Sequence, residues 1–419
     1  MKKQLSYYIE HLFQRLFICM KWSIFSILFG IIVGGIGSFF YYCMVCVTNT
    51  REQYPWLIFL LPAAGLFIVW AYHMMNNEKD SGTNLVLSAI HSEENIPLKM
   101  APLIFISTVI THLFGGSAGR EGAALQLGGS IGNSLGRIFG FDKKDQHIMI
   151  MCGMSAAFSA LFGTPMAAAI FSMEVVSVGI MHYAALVPCV LSALTAHGIA
   201  VYFNILPEQF FLTTIPEFTI VTALLAALLA MLCAAVSTLF CVSLHSFEKL
   251  YKKYFPNTYL RVVVGGVLII LLTLLVGNQD YNGAGMFVVK ECFENQYVPY
   301  AFVLKIIFTS ITLGAGYKGG EIVPSFFIGA TFGCLFGNVI GFSPALCTAI
   351  GMGTVFCGVT NCPITSLLIC FELFGYQGMP YFLLSIALSY MLSGYYGLYH
   401  SQKIVYSKYK TEFINRKTH

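Results

Sequence analysis

Gly115–Gly132 reads GGSAGREGAALQLGGSIG, a glycine-rich turn that runs into an apolar helix with Arg120 and Glu121 at its start. N–H groups at a helix start have no carbonyl one turn behind them and point outward together. The macrodipole adds roughly half a positive charge there, so the place suits an anion. Glycine lets an ion come close to the backbone. The anion can then shed water onto peptide N–H groups without meeting a full positive charge that would hold it too long. Glu121 stands where such an anion would stand and is a tethered competitor for the place. Insertion scales put a carboxylate at membrane depth at a cost of about 2.5–3.5 kcal/mol. Helix-terminal N–H groups return about 0.3–1 kcal/mol, rising to about 2 when partly buried. Effects of comparable size let a carboxyl change protonation and position together, which couples protons to anions. A capping or Arg-paired carboxylate is the alternative reading of the same residues.

Membrane depth follows from the rest of the chain. Of 419 residues, 57% are hydrophobic and 10% charged, with a mean hydropathy of +0.75, which leaves too little polar surface to cover a water-soluble globule. Trp22–Val47 and Trp56–Met75 approach or exceed the roughly 20 apolar residues that cross a bilayer as helix. Strand-like alternation is weak, so an all-α bundle is predicted over a barrel. Lys and Arg gather in Met1–Lys21, at Lys143 and Lys144, in Lys249–Arg261 and in Lys403–Lys417. Basic segments mark the inner face, so both termini are expected to be cytoplasmic. No separate signal peptide is expected. The 13 cysteines are scattered through apolar runs and read as small hydrophobes; the Cys43/Cys46 pair lacks partners at zinc spacing. No metal, cofactor or nucleic-acid partner is expected.

The chain repeats itself. Gly153–Glu174 aligns without gaps on Gly351–Glu372 at an offset of 198, matching Gly153/Gly351, Pro165/Pro363 and Glu174/Glu372. Upstream, GSAGRE (Gly116–Glu121) matches GYKGGE (Gly316–Glu321) at an offset of 200. The expected organisation is an inner segment 1–21, membrane repeats 22–204 and 205–402, and an inner tail 403–419. Apolar stretches around Gly115–Gly122, Gly163–Pro165, Gly314–Pro324 and Asn361–Pro363 are too interrupted to span alone, which implies broken helices. Interruptions at matching places in two halves point to a transport site. The second break, Gly314–Gly333, supplies another helix start, with Pro324 suited to an early helical position. Its N–H groups at Glu321 and Ile322 are placed to face the first. A third break, SGTNL at Ser81–Leu85, offers the Thr83 hydroxyl, and NGAGM at Asn282–Met286 is its counterpart. The polar stretch with Glu93 and Glu94 reads as a solvated face.

GSAGREG, GYKGGEIVP with SFFIGA, and the GTP and NCP turns resemble the CLC chloride channels and proton-coupled transporters, over nearly the whole chain. The resemblance implies a homodimer with an independent pore in each subunit, and inverted repeats whose broken helices meet near mid-membrane. It implies that Glu121 is the gating and proton-coupling glutamate and Thr83 the central hydroxyl. It makes Tyr399, in GLYHSQ, the tyrosine at the inner side, with Tyr395 and Tyr396 as neighbours. Gly119, Arg120 and Gly122, with Gly320, Glu321 and Ile322, would line the anion's path. Two departures matter: Ala123 follows GREG where the chloride branch usually has Pro, and Val175 follows Glu174 where many exchangers carry a second glutamate. MAPLIFISTVITHLFGGSAGREG and GYKGGE look more like the fluoride-exporting bacterial branch, although many of its members have Met where Thr83 falls. A long cytoplasmic extension with nucleotide-sensing modules is not expected. Proton-coupled fluoride export is therefore favoured over a chloride channel or chloride/proton antiporter. An intramembrane enzyme is the distant alternative, since His112, His147 and His182 form no linked catalytic pattern. Glu174 and Glu372, equivalent in the repeat, read as structural helix partners.

Overall fold

A computed structural model describes residues 2–78, 81–92, 94–212 and 215–418; Glu93 lies outside these. Among the described residues, eight helices from the first half have eight counterparts in the second. The first set is α1 (Lys2–Gln53), α2 (Leu61–Met74), α3 (Thr83–His91), α4 (Met100–Leu113), α5 (Glu121–Ile138), α6 (Lys143–Phe162), α7 (Pro165–Glu174) and α8 (Leu186–Tyr202). The second set is α9 (Ile220–Tyr254), α10 (Thr258–Val276), α11 (Met286–Phe293), α12 (Ala301–Ala315), α13 (Ile322–Ile340), α14 (Pro344–Thr360), α15 (Pro363–Phe374) and α16 (Met379–Leu392). Among the described residues, six helical stretches are long and apolar enough to cross a membrane. Several others, such as α4, α12 and α15, are apolar but shorter. The breaks fall where the sequence places them: α5 starts at Glu121, α13 at Ile322, and α7 and α15 at Pro165 and Pro363.

Within each half, a glycine-lined helix pair packs backbone on backbone. A Cβ on Gly128 of α5 would lie 2.1 Å from the Gly153 carbonyl oxygen of α6, and one on Gly153 would lie 2.0 Å from that of Gly128. Gly329 of α13 and Gly351 of α14 repeat the arrangement at 2.2 and 2.1 Å. Lipid gives apolar side chains little reason to leave it, so close backbone approach through small residues supplies the packing. These α5–α6 and α13–α14 pairs form the rigid frame beneath the two glycine-rich breaks.

The halves also exchange carboxylates. Glu174, at the end of α7, accepts from the N–H groups of Ile364 (3.0 Å) and Thr365 (2.8 Å) and from the Thr365 hydroxyl (2.6 Å) at the start of α15. Glu372, in α15, accepts from Met166 and Ala167 at the start of α7, both at 2.9 Å. Each acid caps the other half's helix at its positive end, which agrees with the structural reading of the pair. Replacing Glu174 by Ala leaves three donors without an acceptor in a buried place, a loss of about 3 kcal/mol or more. The expected result is a lowered thermal midpoint in detergent, with a larger fall for Glu174→Ala than for Glu372→Ala because three donors lose their acceptor rather than two.

The C-terminal segment folds back on the molecule. β1 (Ser177–Val178) pairs in parallel with β2 (Lys403–Tyr406), which pairs antiparallel with β3 (Phe413–Lys417). Gln402 ties this sheet to the bundle, its amide nitrogen donating to the carbonyls of Val175 (2.9 Å) and Thr360 (2.8 Å).

Candidate functional site

The two glycine-rich breaks cross. Gly119 and Gly320 form an isolated antiparallel bridge in which each N–H donates to the other's carbonyl at 2.7 Å. The approach leaves no room for side chains: a Cβ on Gly122 would lie 2.8 Å from Gly320 Cα, and one on Gly320 would lie 2.5 Å from Gly122 N. The starts of α5 and α13 are thereby brought together, and their positive ends share one small volume.

This crossing corrects two details of the sequence reading. The N–H groups of Gly119 and Gly320 are consumed by the bridge, so these glycines fix the crossing instead of offering donors to an anion. The first-turn N–H groups of Glu121, Gly122, Ile322 and Val323 are the ones without a carbonyl one turn behind them. The register of the repeat here is also 201, since Gly119 opposes Gly320 and the helix-preceding residues are Arg120 and Glu321. Glu121 thus corresponds in space to Ile322, one residue from the pairing given by the aligned motifs.

Glu121 is 1% exposed. Its carboxylate turns back onto the helix start, accepting from Arg120 N–H at 3.1 Å and Arg120 Nε at 3.4 Å. It lines a cavity of about 930 Å³, together with Tyr41, Arg51, His112, Arg120 and Glu208. The Arg120 guanidinium is occupied: besides Glu121 it lies 4.0 Å from Glu208 Oε1 and stacks over the Tyr41 ring at 4.8 Å. Arg120 therefore meets carboxylates with its side chain and offers the site its backbone N–H.

Thr83 opens α3 and is buried. Its hydroxyl donates to the Gly122 carbonyl at 3.4 Å and accepts from Gln126 Nε2 at 3.2 Å. A threonine has one hydroxyl proton, so giving it to an anion means releasing Gly122. Tyr399 is 1% exposed, and its phenol oxygen has no hydrogen-bond partner among the described residues. It lies within electrostatic range of Glu321 and Glu121. Its carbonyl is held by the Thr418 hydroxyl (2.6 Å) and Gln402 N–H (3.0 Å). Tyr395 bonds Ser407 at 2.8 Å and meets Tyr409 edge-on, while Tyr396 is exposed. Of the three tyrosines, Tyr399 is the fully buried one, within electrostatic range of both acids.

Two contributors escaped the sequence reading. The Glu321 side chain, expected to supply only its backbone N–H, turns its carboxyl inward: Oε2 is buried without a partner and lies 3.2 Å from where a Gly122 Cβ would be. Gln126 supports Thr83 one turn along α5. The signal for Glu321 was an acid inside a glycine-rich break, the same feature that singles out Glu121.

Two broken helices meeting start to start at a buried carboxylate define a membrane protein built to pass an anion. The comparisons with known proteins specify the class. Residues 64–394 match the family model described as voltage gated chloride channel. The chain is 32% identical over 396 residues to the chloride/fluoride channel protein of Pseudomonas syringae pv. tomato, covering 93% of this chain and 88% of that one. It is 24% identical over 383 residues to the H(+)/Cl(-) exchange transporter ClcA of Vibrio cholerae, covering 83% and 81%. The crystal structure of a CLC-type fluoride/proton antiporter superposes with a TM-score of 0.88 at 32% identity, over 91% of this chain and 98% of that one. The chain belongs to the voltage gated chloride channel (CLC) family and is a multi-pass membrane protein.

Proposed function

We propose that this protein exports fluoride in exchange for protons, with Glu121 as the group that serves both ions. The observation that carries the reading is the place of the Glu121 carboxylate: it accepts an N–H at the start of α5, as an anion would, while lining the cavity. Ionised, it blocks the crossing with its own charge; protonated, it loses its hold on the N–H groups and yields to a halide. Glu321 adds a second carboxyl at the start of α13, and the buried Tyr399 lies within electrostatic range of both acids. Fluoride is preferred because one relative at 32% identity is named a chloride/fluoride channel protein and the other a CLC-type fluoride/proton antiporter, and because Val175 stands where many exchangers carry a second glutamate. Chloride remains the second reading on one observation: Thr83 supplies a hydroxyl beside Gly122.

We further propose a homodimer with both termini on the cytoplasmic side. Lys21 bonds Asp145 at 2.7 Å, next to Lys143 and Lys144, whereas Arg51 lines the cavity about 45 Å further along α1. The matched relatives are channels and transporters, and we place the chain with them and not among enzymes. The test is purified protein in liposomes, with fluoride and chloride efflux followed by electrodes while internal pH is recorded. Fluoride efflux with opposing proton movement is expected. Both anions remaining trapped under every gradient would refute transport, and efflux without proton movement would make the protein a channel.

A further inference from the structure

One buried cation, Arg51, stands in the cavity wall, and the Lys305 amine is buried behind it. Arg51, in the last turn of α1, is 6% exposed and lines the cavity. Its Nη1 donates to the His112 carbonyl at 3.3 Å, and its Nε has no partner among the described residues. Lys305, on α12, is fully buried; its Nζ donates to the carbonyls of Tyr281 (3.1 Å) and Gly283 (2.7 Å). Among the described residues neither cation lies within ion-pair distance of a carboxylate.

Gly283 links the two side chains. Its φ is +57°, and a Cβ there would lie 2.3 Å from Arg51 Nη1, so the loop makes room for the guanidinium on one side while its carbonyl takes Lys305 on the other. His112 stands beside them in the cavity wall. Its Nδ1 bonds the Thr108 carbonyl at 2.9 Å, which leaves Nε2 buried and unpartnered. The surroundings do not cancel this charge. Arg120 is already matched by Glu121 and Glu208. Glu52 and Asp280 also line the cavity, but Glu52 is exposed and Asp280 partly so, and charges in contact with water are screened over about 8–10 Å. A buried guanidinium is screened less and keeps its proton, so leaving it unbalanced is costly.

We propose that Arg51, backed by Lys305 through Gly283 and flanked by His112, forms a docking site for a small monovalent anion in the cavity, separate from the crossing at Glu121. The site collects halide at the mouth and raises its local concentration before it competes with Glu121. That purpose rests on the transport reading; the existence of the site does not.

Trp56 lines the same cavity and provides the probe. The chain has three tryptophans, so Trp22→Phe with Trp70→Phe leaves Trp56 as the single emitter. In detergent, quenching of Trp56 by bromide is expected to saturate and to be reversed by fluoride. Arg51→Met is expected to lower the initial bromide slope at least threefold, and Arg51→Lys to retain most of it. Quenching by neutral acrylamide is expected to be the same in all of them. Linear bromide quenching that fluoride does not reverse, or an unchanged slope in Arg51→Met, would overturn the proposal. Fluoride reversal is read on the Arg51-bearing protein itself, so the test survives if Arg51→Met does not fold; Lys305→Met then serves as the second variant, with the same loss expected. Saturable quenching in a protein that moves no anion in liposomes would sustain this site and refute the transport reading. Normal transport with unsaturable quenching would do the reverse.

Discussion

Glu121→Gln is expected to abolish proton movement while anion efflux continues. The amide keeps the size of the side chain but never carries the negative charge that competes for the start of α5. The Arg120 N–H at 3.1 Å and the first-turn N–H groups then face a neutral group that an anion displaces easily. Proton uptake driven by a fluoride gradient is expected to fall at least tenfold, to the level of protein-free liposomes, on pH and fluoride electrodes. The dependence of efflux on pH should flatten in the same variant, because the group that exchanges the proton is gone. If Glu121→Gln still moves protons with unchanged stoichiometry, Glu121 is a cap or a partner of Arg120 and the coupling lies elsewhere. Glu321, whose Oε2 has no partner among the described residues, is the next group to test in that event.

Gly320→Ala is expected to cost about 10- to 100-fold in transport rate, with the protein still inserted and folded. The added Cβ would stand 2.5 Å from Gly122 N, 3.0 Å from Gly122 Cα and 3.4 Å from Glu121 N. All three atoms belong to the backbone, so no side chain can rotate away. The strands must part, which breaks the reciprocal 2.7 Å bonds between Gly119 and Gly320 and spreads the two helix starts. An anion held by N–H groups from both helices then loses one set. Gly198→Ala is the matched control: it lies in α8 with nothing within 4 Å of the added atom and should be neutral in transport. Equal rates for Gly320→Ala and Gly198→Ala, at equal folded fraction, would show that the crossing does not set the path. Loss of rate in Gly320→Ala with unaltered quenching of Trp56 would place the damage at the crossing and not at the cavity mouth.

Much of the site was legible because its causes are local. A run of glycines before an apolar stretch both ends one helix and starts the next, so the starts of α5 and α13 could be read from Gly115–Glu121 and Gly314–Ile322. Pro165 and Pro363 start α7 and α15 for the same local reason, since proline's missing N–H is tolerated there. Matching Glu174 with Glu372 needed only the repeat, and their exchange of helix caps follows from the same symmetry. The direction of the Glu321 carboxyl was not legible. A glutamate before a helix points in or out according to what fills the space around it, and here that space is set by Gly122, about two hundred residues away.

The sequence by itself determined that this chain lives in a membrane, is built twice over, breaks its helices at matched places and puts an acid at one helix start. Those properties depend on composition, spacing and the conformational limits of glycine and proline, which act over a few residues. Tertiary structure alone decided which N–H groups are spent on the Gly119–Gly320 bridge, which repeat register holds at the crossing, and which of three neighbouring tyrosines is fully buried. It also decided that Arg51 and Lys305, unremarkable along the chain, share one glycine without a counter-charge. Each of these is a contact between segments remote in sequence, and whether a donor is free or taken is fixed only when its partner arrives.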